Sequence, residues 1–119
     1  MLGLLSVGIG SRVMNLLFPI NKSEYLKMVK VYEIIFSGGV QGVGFRFSAR
    51  NLAVRHKVKG WVMNLSDGRV KLLAQGQRED LDNFLHDLKE EFERYVDDYI
   101  LREREANEDY KDFEIKFSA

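Results

Sequence analysis

The chain has 119 residues and no cysteine, and its 18 basic side chains balance its 18 acidic ones. The length suits one domain with one core, and 45% hydrophobic residues suit a packed globule rather than a disordered chain. The lack of cysteine excludes disulfides, thiolate nucleophiles and cysteine-based metal sites. Two histidines far apart in sequence argue against a histidine-based metal site.

The first 28 residues differ in composition from the rest. Their apolar run is interrupted by Arg12 and ends at Pro19, the only proline. A charge in the middle of a spanning helix costs about 2.5–3.5 kcal/mol, and Met1-Leu2-Gly3 lacks the basic start of a secretory signal. We therefore predict an N-terminal extension over residues 1–28, partly ordered at most, and a domain over residues 29–119. Translation from Met28 is an alternative, and we expect a cytoplasmic protein without a membrane partner.

The first half of the domain alternates clear strand and helix patterns. Alternating apolar residues predict a strand from Val31 to Ser37, which a glycine-rich turn follows. Helical spacing of apolar residues predicts a helix from Phe45 to about His56. Short strands over residues 60–64 and 70–75 flank Ser66-Asp67-Gly68, a turn signal, and so predict a hairpin.

The second half contains one predicted helix and two predicted strands. Apolar residues at helical spacing over residues 81–92 predict an amphipathic helix, and acids near its start suit the helix dipole. Strands are predicted over residues 96–104 and 113–117. The order β-α-β-β-α-β plus a short final strand predicts an α+β, ferredoxin-like sandwich: an antiparallel sheet with two helices on one face.

The glycine-rich segment from Gly38 to Arg46 has the character of an anion site. Closely spaced glycines let the backbone curl so that successive N–H groups form a concave cradle. The helix that follows adds unpaired N–H groups and the positive end of its dipole. Arg46, near that helix start, can bind phosphate oxygens through two parallel hydrogen bonds. The spacing matches neither a P-loop nor a dinucleotide fingerprint.

Asn64 is a second candidate, at the end of a strand and just before a turn. Its carboxamide both donates and accepts, so it can orient a water molecule. Capping of the turn is the alternative interpretation. No acid occurs from Ile34 to Ser66, where five basic residues lie, whereas residues 79–114 carry a net charge of −10. The basic segment can attract a small anion or simply be a solvated face. The acidic segment argues against a nucleic-acid partner.

Together, the two segments resemble the acylphosphatase family. The family pattern is Gly-x-Val-Gln-Gly-Val-Gly-Phe-Arg followed by Gly-x-Val-x-Asn-x-x-Asp-Gly-x-Val, and residues 38–46 and 60–70 match every fixed position. The similarity covers residues 29–119. Two positions depart from the common form. Gly39 stands where the family usually has arginine, and Met63 stands where it often has a basic residue. Both changes remove positive charge, which puts substrate affinity in doubt.

The resemblance implies an enzyme that hydrolyses small acyl phosphates to carboxylate and phosphate, without metal or organic cofactor. It implies that Arg46 and Asn64 are catalytic. The backbone cradle for the phosphate then comprises Gln41, Gly42, Val43, Gly44, Phe45 and Arg46. We expect a monomer.

Three alternatives keep the same fold: a non-catalytic anion-binding module, an RNA-binding domain, and a domain of a larger carbamoyl-phosphate-handling protein. The aromatic signature of RNA-recognition domains is missing from the sequence.

Overall fold

The computed structural model describes residues 20–117, so the predictions made for residues 1–19 lie outside the described part. Its elements, in chain order, are α1 (Lys22–Met28), β1 (Lys30–Gly38), α2 (Phe45–His56), β2 (Lys59–Asn64), β3 (Val70–Gly76), α3 (Arg78–Glu91), β4 (Val96–Glu105) and β5 (Phe113–Lys116). Every helix and strand predicted after residue 28 is present. Within residues 20–117, no helix is both long and apolar enough to cross a bilayer.

Helix α1 was not predicted, although its start has a local sequence signal. Asn21 Oδ1 accepts the backbone N–H of Glu24 at 2.8 Å, and Asn21 Nδ2 donates to Glu24 Oε1 at 3.3 Å. This reciprocal pair is the arrangement of a capping box, which satisfies backbone donors at a helix N-terminus. No residue of α1 is buried, so the helix depends on this local pairing more than on the core.

The five strands form one sheet in the order β4-β1-β3-β2-β5. Strand β1 is antiparallel to both β3 and β4, and β2 is antiparallel to β3, as predicted. Strand β5, however, is parallel to β2, so the sheet is mixed rather than wholly antiparallel. The chain reaches this far edge after β4, and Gly60 N–H donates to Asp112 O at 2.9 Å where the two strands begin.

The core lies between the sheet and helices α2 and α3. Phe45, the first residue of α2, is 2% exposed, and its ring centroid lies 5.0 Å from that of Phe36 and 4.8 Å from that of Phe92. Burying a phenylalanine contributes about 2–3 kcal/mol. The start of α2 is therefore anchored to β1, and this anchor fixes the position of the next residue, Arg46.

Strand direction brings three chain segments to one end of the sheet. Because β1 and β2 are both antiparallel to β3, they run the same way, and β5 runs with them. The carboxyl ends of these three strands therefore meet at the same end of the sheet. Phe36, Val70 and Asn64 lie in one row across the sheet, and Met63 pairs with Lys116. The glycine-rich loop, Asn64 and the residue after β5 are thus neighbours in the fold.

Candidate active site

The loop leaves β1 at Gly38, where the backbone requires glycine. Its φ is +121°, and an added Cβ would meet the carbonyl oxygen of Tyr95 and, at 2.7 Å, the backbone nitrogen of Asp97. The pairing of β1 with β4 also shifts register between Ser37 and Gly38. Gly39, in contrast, has open space around it. The chain is therefore forced off the strand at position 38 by close backbone contact, and position 39 is free to vary.

The loop ends at Gly44, whose left-handed conformation (φ +83°) turns the chain into α2. No side chain caps this helix, and its first turn contains no acid. Among residues 20–117, none accepts a hydrogen bond from the backbone N–H groups of residues 41–46. Unpaired amides and the positive end of the helix dipole therefore coincide, which is the physical basis of an anion site.

Arg46 is the second residue of α2 and is half-buried. Its guanidinium carbon lies 5.6 Å from the ring centroid of Phe117, the residue after β5. No carboxylate in the described part of the chain forms an ion pair with it. A cation–π contact holds the guanidinium without neutralising its charge, so the charge is available to an anionic ligand.

The Gln41 side chain joins the loop to the β2–β3 hairpin. Its Nε2 donates to the carbonyl oxygens of Leu65 at 2.8 Å and Arg69 at 2.9 Å. The hairpin turn is itself held by Asp67, whose Oδ1 accepts the Arg69 backbone N–H at 3.1 Å. That backbone hydrogen bond holds the pKa of Asp67 below its ordinary value. The loop and the end of β2 are therefore tied together one residue away from Asn64.

Asn64 ends β2 with an unusual side-chain environment. The residue is half-buried, yet its Oδ1 is buried and has no hydrogen-bond partner among the described residues. Leaving a buried acceptor unsatisfied costs about 1–3 kcal/mol, and Gln75 Oε1, outside the candidate site, is the other such atom within residues 20–117. The turn itself is held by Asp67 and Gln41, which leaves the Asn64 carboxamide for another role.

The structure thus brings the predicted residues to one edge of the sheet, and it adds two contacts that the sequence analysis missed. The predicted role of Gln41 concerned its backbone, whereas its side chain makes the link to the hairpin. Phe117 was predicted only as part of a strand, but it lies against Arg46. Neither contact has a local signal, because each joins segments far apart in sequence.

The histidines lie outside the candidate site. His56 Nε2 lies 2.7 Å from Asp87 Oδ2, a contact that joins the end of α2 to α3. His86 is exposed, and together with Asp87 and Glu90 it forms a group whose ligand atoms lie within 4.8 Å of one another. This group shares no residue with the glycine-rich loop or the hairpin, and it plays no part in the candidate site.

Comparison with known proteins gives a family match for most of the chain. The family model described as Acylphosphatase matches residues 32–115. A curated acylphosphatase of Bacillus subtilis is 39% identical over 89 residues, which cover 73% of this chain and 97% of that protein. One from Bacillus velezensis is 55% identical over 53 residues, covering 44% of this chain, so that match spans only 59% of the relative. The solved structure of an acylphosphatase from Coxiella burnetii superposes with a TM-score of 0.69 at 33% identity and covers 79% of this chain and 99% of that one.

Proposed function

Because this chain belongs to the acylphosphatase family, we propose that it hydrolyses small acyl phosphates to a carboxylate and inorganic phosphate. One observation carries the proposal: the Asn64 carboxamide lies at the end of β2, beside the turn that Gln41 ties to a loop whose backbone amides have no partner within residues 20–117. Such an arrangement supplies what hydrolysis at phosphorus needs, an anion site beside a group that can hold water.

The phosphoryl group would lie in the loop. The backbone N–H groups of residues 41–46 would donate to its non-bridging oxygens, and the Arg46 guanidinium would bind two of them in parallel. These donors need no reorganisation during the reaction, because the glycine conformations and the Phe45 anchor already hold them. Preorganised donors of this kind stabilise the charge that builds on the phosphoryl oxygens in the transition state.

Asn64 would place the nucleophile. Its carboxamide would hydrogen-bond a water molecule, whose oxygen then attacks phosphorus in line with the leaving carboxylate. As the new P–O bond forms, the bond from phosphorus to the acyl oxygen breaks and its electron pair leaves with the carboxylate. A phosphoryl oxygen of the substrate accepts the water proton. The carboxylate is a good leaving group, so positioning and charge stabilisation suffice.

Three further properties complete the proposal. We propose that residues 29–119 form the catalytic domain, that this domain acts as a cytoplasmic monomer, and that it requires neither metal nor organic cofactor nor a nucleic-acid partner. Gel filtration tests the oligomeric state of the domain, and turnover after chelation tests the metal requirement. Equal rates for the full chain and a Met28-start form would show that the first 27 residues contribute nothing to catalysis.

Turnover of benzoyl phosphate tests the proposed chemistry. We expect Arg46→Ala and Asn64→Ala each to lower kcat by about 10²–10³-fold, the usual effect of losing one preorganised donor. Arg55→Ala is the matched control, since it removes the same charge from the last turn of the same helix. Near-normal turnover by the Arg46 or Asn64 variant would contradict the proposal. Phosphate binding without turnover by the unmodified chain would instead favour a non-catalytic anion-binding module.

A further inference from the structure

A cavity of about 400 Å³ adjoins the proposed phosphate site, between α2 and β5. Arg46 belongs to both the cavity and the phosphate site, because its side chain lines this cavity and its backbone N–H lies at the end of the phosphate loop. The remaining walls are mainly aromatic and aliphatic side chains and one further arginine: Phe47, Arg50, Phe113, Ile115 and Phe117. A substrate phosphate held at Arg46 therefore has a preformed space beside it.

Two of the aromatic walls are unusually exposed. Phe47 is 56% exposed and Phe117 is 79% exposed, whereas Phe113 at the back of the cavity is buried. Neither exposed ring is required by the core. Flat apolar surfaces around a small cavity suit an apolar or aromatic portion of a ligand, with a few polar groups setting its orientation.

Arg50 supplies such a polar group. It lies four residues after Arg46, on the same face of α2 and about 6 Å farther along the helix axis. Its guanidinium carbon is 5.4 Å from the Phe47 ring centroid, and no described carboxylate forms an ion pair with it. Glu114 also borders the cavity, but it alternates with the inward-facing Phe113 and Ile115, so its side chain starts from the opposite face of the sheet.

We propose that this cavity binds the acyl group of the substrate, and that Arg50 favours acyl phosphates carrying a second anionic group at the far end of that acyl group. The inference rests on the proposed function and deepens it. The phosphate occupies Arg46 and the loop, the aromatic walls contact the acyl carbons, and the distal anion pairs with Arg50. Charge complementarity selects this occupant, since a neutral acyl group would leave the Arg50 charge without a partner.

Three rigid substrates test the inference: benzoyl phosphate, 4-carboxybenzoyl phosphate and its neutral isostere 4-carbamoylbenzoyl phosphate. The para substituent cannot cyclise onto the acyl phosphate. For the full chain we expect kcat/KM to favour the carboxylate over the carboxamide by about two- to fivefold, mostly through KM, as one exposed ion pair permits. Arg50→Gln should bring this ratio to about one. Arg55→Gln, the matched control from the last turn of α2, should keep it.

The outcomes separate this inference from the proposed function. Turnover of all three substrates with no preference for the carboxylate, or a preference that survives Arg50→Gln, would overturn the acyl subsite and leave the hydrolase intact. A preference lost equally in both arginine variants would also overturn it, because a general field effect would then be the cause. Absence of turnover of any of the three by the full chain would overturn the proposed function itself.

Discussion

The two strand-to-helix connections of this fold have opposite chemistry. Between β1 and α2 the chain makes a glycine-rich loop, and the helix begins without an acid and with Arg46 in its first turn. Between β3 and α3 a single residue, Gln77, suffices, and Glu79 and Asp80 fill the first turn. Acids at a helix N-terminus stabilise the helix by complementing its dipole, and they also repel anionic ligands.

This difference separates what the fold needs from what the proposed reaction needs. Both helices bury an apolar face against the same sheet, so either connection satisfies folding. Only the first combines a helix start without acids with an arginine that forms no ion pair in the described part of the chain, because Arg78, the first residue of α3, pairs with Glu103. We therefore expect function on this scaffold to depend on one loop and on the strand end beside it, not on the architecture that both halves share.

The largest effect expected within the first connection is on stability at Gly38. Gly38→Ala places a methyl group against backbone atoms of residues 95–97 at a positive φ, and should destabilise the fold by about 2–4 kcal/mol. Gly39→Ala has open space and should change stability by less than about 0.5 kcal/mol. Urea unfolding of the two neighbours measures the contrast. Equal stabilities would show that close backbone contact does not shape the loop.

The link between loop and hairpin should matter for rate. Gln41→Ala removes both hydrogen bonds to the carbonyls of Leu65 and Arg69, so Arg46 and Asn64 lose their fixed spacing. We expect kcat for benzoyl phosphate to fall about tenfold, because small misplacements lower rates strongly. Gln41→Glu keeps the shape but replaces the donor with an acceptor, and it should not restore the rate. Normal kcat in Gln41→Glu would refute this positioning role.

Making the first connection resemble the second should weaken phosphate binding. Phe47→Asp puts an acid in the first turn of α2, where it should raise the inhibition constant of inorganic phosphate about fivefold. The same change should stabilise the helix by about 0.3–1 kcal/mol. Phe47→Asn removes the ring without adding charge and controls for its loss. Tighter phosphate inhibition in the aspartate variant would contradict the electrostatic account.

The smallest effect concerns Gly39, where the family usually has arginine. The open space around this residue accepts a long side chain. Gly39→Arg should lower KM for benzoyl phosphate about two- to threefold at low salt, and high salt should remove the gain by screening. Gly39→Gln, of similar length without charge, should leave KM unchanged. An equal gain from the glutamine would point to packing rather than charge.

Local sequence patterns were enough to predict most of the secondary structure. Period-two and helical spacing located every strand and helix after residue 28, because each element buries one face in a single core. The parallel pairing of β5 with β2 was not predictable, since an alternating edge strand has the same pattern in either direction. Helix α1 was missed although Asn21 and Glu24 have capping-box spacing.

The candidate site was predictable in its residues but not in its surroundings. The family pattern located Arg46 and Asn64, and strand order then brought their segments to one edge of the sheet. The cavity of Phe47, Arg50 and Phe117 was not predictable, because it depends on α2 meeting β5 across some 60 residues of chain. Contacts between distant segments follow from the assembled sheet, which no local pattern encodes.

Titration of the folded protein with inorganic phosphate, followed by amide chemical shifts, tests the contrast between the two connections most directly. We predict saturable shifts at the backbone amides of residues 41–46 and at the Asn64 side chain, with none at residues 78–81. Shifts concentrated at the start of α3, or a loop that does not respond at saturating phosphate, would contradict the account.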